Sequence, residues 1–124
     1  MLVQTVIRPI NSLIFISDLN GATAPEWEKD RIILSSEACI SVGCYPEQDG
    51  PTKVILGDDR DARRKRVPEF SGKLKIPSGI ILISDVLRAP ILQMEVGQPL
   101  ITVNSWLSHP MWPDEVAIGV SRNS

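Results

Sequence analysis

Apolar and polar residues alternate along most of this chain with a period of two. In LVQTVIR, residues 2–8, the two kinds mix as in a partly covered strand, whereas SLIFIS, residues 12–17, is apolar on both faces and reads as a buried one. Pro9 and Asn11 mark the bend between them. The next stretch, DLNGATAPEWEKD, breaks the alternation. Asn20-Gly21 and Pro25 favour turns, and Pro25 also suits the first position of a single helical turn through Trp27. Strand patterns resume over 31–35 and 37–45, where Ala38, Ile40, Val42 and Cys44 share one face. The turn cluster PEQDGP, 46–51, leads into TKVILG.

Further on, Phe70, Leu74 and Ile76 fall at even spacing. Pro77-Ser78-Gly79 closes that strand and IILISD opens the next, which predicts a β-hairpin. ILQMEV, 91–96, puts Leu92, Met94 and Val96 on one side; Gly97-Gln98-Pro99 turns into LITVNSW, and EVAIGVS supplies a final strand. No run of ten or more residues carries a 3.6-residue apolar stripe, while eight or nine strand candidates recur between turn signals. Ten prolines also oppose long helices, since each removes a backbone donor. The pattern predicts an all-β fold: a single domain over residues 1–124, built as an antiparallel β-sandwich of about eight strands, with a barrel as the alternative.

Composition narrows the function classes. A chain of 124 residues that is 43% apolar can bury one core but not two. The net charge of −2 and pI near 5.3 give no global positive field to draw in a polyanion, so no direct nucleic-acid partner is expected. The N-terminus lacks a basic opening, a long apolar run and a small-residue cleavage site. The longest apolar runs, such as residues 80–83, fall far short of the roughly 18 residues of a membrane helix. A cytoplasmic protein with no membrane partner is expected.

Cys39 and Cys44 lie five apart on a strand pattern, so their backbones would sit roughly 16 Å apart at about 3.3 Å per residue and cannot pair. The odd offset puts the thiols on opposite faces, one in the core and the other at an edge or the surface. Two cysteines and one distant histidine fall short of a structural zinc site.

The segment DDRDARRKRVPEF, 58–70, looks basic at its centre. However, Arg60, Arg63, Arg64, Lys65 and Arg66 face Asp58, Asp59, Asp61 and Glu69, so five positive charges against four negative leave a surplus of one. With no interleaved aromatic, it reads as a solvated loop whose charges pair among themselves.

His109, the only histidine, lies in WLSHPMWPDEV beside acids and a serine, yet no G-x-S-x-G, Walker loop or H-E-x-x-H accompanies it. The carboxylates of 26–30 and 58–61 lack calcium-loop spacing. No catalytic residue, metal site or cofactor is expected, and His109 reads as a loop residue.

Aromatic placement says more. Trp27, Trp106 and Trp112 fall in or beside turn-rich, acidic segments. Either they fold back as lids over the ends of the sandwich, or Trp112 and Met111, rimmed by Asp114 and Glu115, offer another protein an apolar anchor. On the second reading Trp27, His109, Met111, Trp112, Asp114 and Glu115 form the candidate partner-binding set. A small-molecule site with Trp27, Trp106 and His109 at its mouth is the alternative. Oligomeric state is left open by the pattern.

Four stretches taken in order, APEW at 24–27, SGKLKIPSGIILISD at 71–85, ILQMEVGQPLITVNSW at 91–106 and PDEVAIGV at 113–120, resemble the competence protein J family. These are small bacterial proteins associated with inhibition of a DNA-entry nuclease. The resemblance implies a non-enzymatic inhibitor whose partner is a basic nuclease. Acidic loops would take the place that the enzyme keeps for phosphates.

Overall fold

The computed structural model describes residues 1–122. The alternating segments form two five-stranded sheets packed face to face. The first runs β1 (Leu2–Ile7), β5 (Thr52–Asp58), β10 (Glu115–Arg122), β9 (Leu100–Leu107), β6 (Phe70–Lys75). The second runs β3 (Ile33–Ser35), β4 (Cys39–Gly43), β2 (Leu13–Asp18), β7 (Ile80–Ser84), β8 (Pro90–Glu95). The architecture is a sandwich and not a barrel. It has ten strands among the described residues, two more than the eight expected, β3 being only three residues long.

Alternation explains the core. Ile14 and Ile16 of β2, Ile40 and Val42 of β4, and Ile81 and Ile83 of β7 point inward, against Val54 and Leu56 of β5, Ile101 and Val103 of β9, and Val116 and Ile118 of β10. All are fully buried. At roughly 1.5–3 kcal/mol for each large side chain withdrawn from water, this layer is the main stabilising term. Neighbouring strands run antiparallel except β5 and β10, which are parallel with Lys53 opposite Glu115. That pairing aligns the beginnings of β5 and β10 at one end of the sandwich. No helix among the described residues is long and apolar enough to cross a membrane.

The hairpin expected at 70–85 does not form. β6 pairs with β9 in the first sheet, whereas β7 pairs with β2 and β8 in the second, so Pro77-Ser78-Gly79 crosses between sheets. The cause lies in Ile76, whose fully buried side chain and N–H bond to the Pro99 carbonyl, 2.7 Å, hold the chain at the sandwich edge. The return crossing, Gly97-Gln98-Pro99, packs against it. Gly79 and Gly97 both take positive φ, 77° and 80°, and the Gly79 carbonyl accepts the N–H groups of Val96 and Gly97. Asp18 stabilises the same corner: its carboxylate accepts Ser78 N–H at 2.9 Å, Ser78 Oγ–H at 2.6 Å and Asn20 N–H at 3.0 Å. Burial works to raise the Asp18 pKa, but these bonds outweigh it and hold the carboxyl below its ordinary value.

Both cysteines are buried, which corrects the expectation that one would lie at an edge or the surface. The thiols do occupy opposite faces, Cys44 belonging to the core cluster and Cys39 to the far side of the second sheet. That far side is itself covered. The segment after β2 lies over it, and Arg88 stacks on Phe15, 5.2 Å from the ring centre, while donating to the Ala22 carbonyl. The single helical turn considered at Pro25–Trp27 is absent, and those residues are irregular.

Candidate functional site

The charged segment 58–70 is more than a solvated loop. Its first residues form a short helix, α1 (Asp59–Ala62), with Ala62 fully buried against Ile55, Trp106 and Ala117 on the outer face of the first sheet. Trp106 Nε1–H donates to the Lys65 carbonyl at 2.9 Å, fastening the basic run to the sheet. Gly119 makes room for this packing: a Cβ there would lie 2.8 Å from the Trp106 ring and 3.1 Å from the Asp59 Cα. The charges pair among themselves only in part: Arg63 meets Asp59 at 2.8 Å and Lys65 meets Glu69, but Arg64 reaches out to Glu115 at 3.4 Å, and Asp58 and Asp61 hold the N-terminal ammonium, each at 2.9 Å. Trp106 therefore lies on the flank of the sandwich, 2% exposed, where it lines a small hollow of about 130 Å³ with Arg64, Lys65 and Glu115, apart from Trp27 and His109.

The loop between β9 and β10 is built differently, as a rigid projection. Ser108 Oγ accepts the N–H groups of Asp114, 3.1 Å, and Glu115, 3.0 Å, and donates to Asp114 Oδ1 at 2.8 Å. His109 Nδ1 accepts the N–H groups of Met111, 3.1 Å, and Trp112, 3.0 Å, so the ring acts as an internal cap. The Pro113 and Asp114 carbonyls accept Tyr45 N–H and Lys53 N–H, both at 2.8 Å, tying the loop to the residue before the 46–51 turn and to the start of β5. At its base Glu69 accepts the Leu107 N–H at 2.9 Å. Partial burial would raise the Glu69 pKa, but the bonds from Lys65 and Leu107 outweigh it and keep the group ionised below the usual range.

On this fixed backbone Met111 and Trp112 remain 53% and 54% exposed. Large apolar side chains are thus left wet on a backbone whose own polar groups are well satisfied. The lid reading therefore fails for Trp112, and for Trp27, which is 78% exposed. Beside Trp112 opens a cavity of about 530 Å³ lined by Tyr45, Pro46 and Asp49 from one loop and by Ser108, His109, Trp112 and Asp114 from the other.

Of the six residues in the candidate set, His109, Met111, Trp112, Asp114 and Glu115 share the one loop and its junction with β10. Trp27 lines neither this cavity nor the groove of about 300 Å³ formed by its neighbours Pro25, Glu26 and Glu28 with Arg31. Glu115 is partly committed to Arg64, leaving Asp114 and Asp49 as the acids of the cavity. Tyr45 and Asp49 were not anticipated. PEQDGP reads as a turn, but nothing local shows that the parallel β5–β10 pairing sets it against residues 108–114. Among the described residues no cluster of histidine, cysteine and acidic side chains is placed to hold a metal ion.

The fold and loop thus define a two-sheet β-sandwich that presents an aromatic and acidic end. Among solved structures it is similar to the crystal structure of ComJ, inhibitor of the DNA degrading activity of NucA, from Bacillus subtilis, with a TM-score of 0.65, 97% of each chain covered and 8% sequence identity. The two share a fold, as the resemblance in the sequence implied. No family model matches the chain, and no curated protein does.

Proposed function

We propose that this protein is a non-enzymatic, protein-binding module of the nuclease-inhibitor type, acting through its 108–115 loop. The observation that carries the reading is the exposed Met111–Trp112 pair on a loop whose backbone is held by Ser108 and His109. A rigid, wet tryptophan loses little conformational entropy on docking and can act as an affinity anchor. Asp114 and Asp49 beside it favour a basic partner surface, of the kind that a nuclease keeps for phosphates. Likeness to ComJ supports the same reading, since ComJ inhibits the DNA degrading activity of NucA. Ion pairs to Asp59, Glu115 and Glu69 take up three of the five cations in the 58–70 segment, which lessens their repulsion of such a partner.

The test is a DNA-degradation assay in which the purified chain is titrated against a NucA-type nuclease from the same organism. Activity should fall in proportion to added protein until the two are equimolar, and the inhibition should weaken as salt rises. Undiminished degradation at a large molar excess and low salt would rule the proposal out.

A further inference from the structure

The cavity beside Trp112 has the chemistry of a socket for a cation. Tyr45 and Trp112 supply two aromatic walls and Asp49 and Asp114 two carboxylates, with no lysine or arginine among the lining residues. An aromatic face attracts a cation through its quadrupole, and a neighbouring carboxylate adds Coulomb attraction. His109 Nδ1 is turned to its own loop, where it accepts the Met111 and Trp112 N–H groups.

The walls are also held in place. Tyr45 N–H bonds to the Pro113 carbonyl, 2.8 Å, joining one side to the other. Gly50 lets the tyrosine ring lie close, since a Cβ there would sit 3.2 Å from it. A compact ammonium would meet one ring or one acid at a time. A planar guanidinium can stack on an aromatic face while its edge forks to a carboxylate. We infer that this cavity receives an arginine side chain, stacked on Trp112 or Tyr45 and hydrogen-bonded to Asp49 or Asp114. The inference rests on the protein-binding reading for the owner of that arginine, and on the cavity alone for its chemistry.

The probe is Nα-acetyl-arginine N-methylamide, titrated into a Trp27→Phe chain so that Trp112 is the one exposed indole. Saturable quenching of its fluorescence is expected, with half-saturation on the order of millimolar. Asp49→Asn should raise that value about threefold, as for a partly exposed ion pair. A melting curve verifies that this exposed substitution leaves the fold intact. Amide chemical-shift changes in residues 108–114 report the same binding where the fluorescence response is small.

Equal binding of the uncharged citrulline counterpart would overturn the socket, and equal binding of the lysine counterpart would overturn its assignment to arginine. No saturable change by either readout would overturn both. Uptake of the arginine amide by a chain that leaves the nuclease untouched would uphold the socket and remove only the inhibitor reading. Inhibition without uptake would do the reverse.

Discussion

Trypsin offers a direct probe of how the basic segment is held, because RRKR, residues 63–66, is a run of its cleavage sites. Replacing Trp106 by phenylalanine removes the indole N–H that binds the Lys65 carbonyl. A neutral hydrogen bond contributes about 1 kcal/mol net. The smaller ring also leaves a void on the order of 40 Å³ between α1 and β10, costing about 1 kcal/mol at roughly 24 cal/mol per Å³. Together these lower the free energy of opening the segment by about 2 kcal/mol, roughly a 30-fold rise in its open population. Where reclosing outpaces cleavage, the rate at residues 63–66 should rise by the same factor of about 30. The assay is limited proteolysis with mass spectrometry of the fragments. Ile83→Val serves as a control, since it trims the core between the sheets and should lower global stability by about 1 kcal/mol without loosening the segment. Equal cleavage rates in wild type and Trp106→Phe would refute the pin. So would acceleration by the control in proportion to its loss of stability, because cleavage would then follow global unfolding.

Asp18→Ala should lower the melting temperature at neutral pH by about 8 °C, taking roughly 2 kcal/mol for the lost charge-assisted bonds. The folded Asp18 pKa is depressed, so its contribution is present above the unfolded value, about 3.9, and fades as pH falls through the folded one; the gap from wild type should narrow below about pH 4 in scanning calorimetry. Burial pushes the Cys44 thiol up to about 12 and raises Cys39 as well, so neither should react with Ellman's reagent until denaturant unfolds the chain. His109→Ala should speed amide hydrogen exchange at Met111 and Trp112 about tenfold. His109→Asn, whose side-chain oxygen can accept the same N–H groups, should restore most of the protection.

Period-two alternation was enough to place the strands, because burying one face of a pleated segment leaves its mark in adjacent residues. It did not reveal which sheet each strand joins. Leu74 and Ile76 look the same in a hairpin as in a crossing strand, and only the Ile76 bond to Pro99, distant in sequence, decides between them. For the same reason the covered outer face that buries Cys39 was not legible. Its cover comes from a loop that carries no periodic signal. α1 is four residues long, too short to show a helical stripe. At the site, the exposed character of Met111 and Trp112 could be suspected from their neighbours Pro110 and Pro113. The partnership with Tyr45 and Asp49 depends on a parallel strand pairing across some sixty residues and has no local trace.

The proposed docking surface is tested most directly by calorimetric titration of a NucA-type nuclease with wild-type chain and with Trp112→Ala. An exposed aromatic at the centre of an interface contributes about 2 kcal/mol or more, so the variant should bind at least about 30-fold more weakly while keeping the wild-type melting temperature. Affinity unchanged by Trp112→Ala, with the wild-type complex intact, would contradict the assignment of that loop as the binding surface.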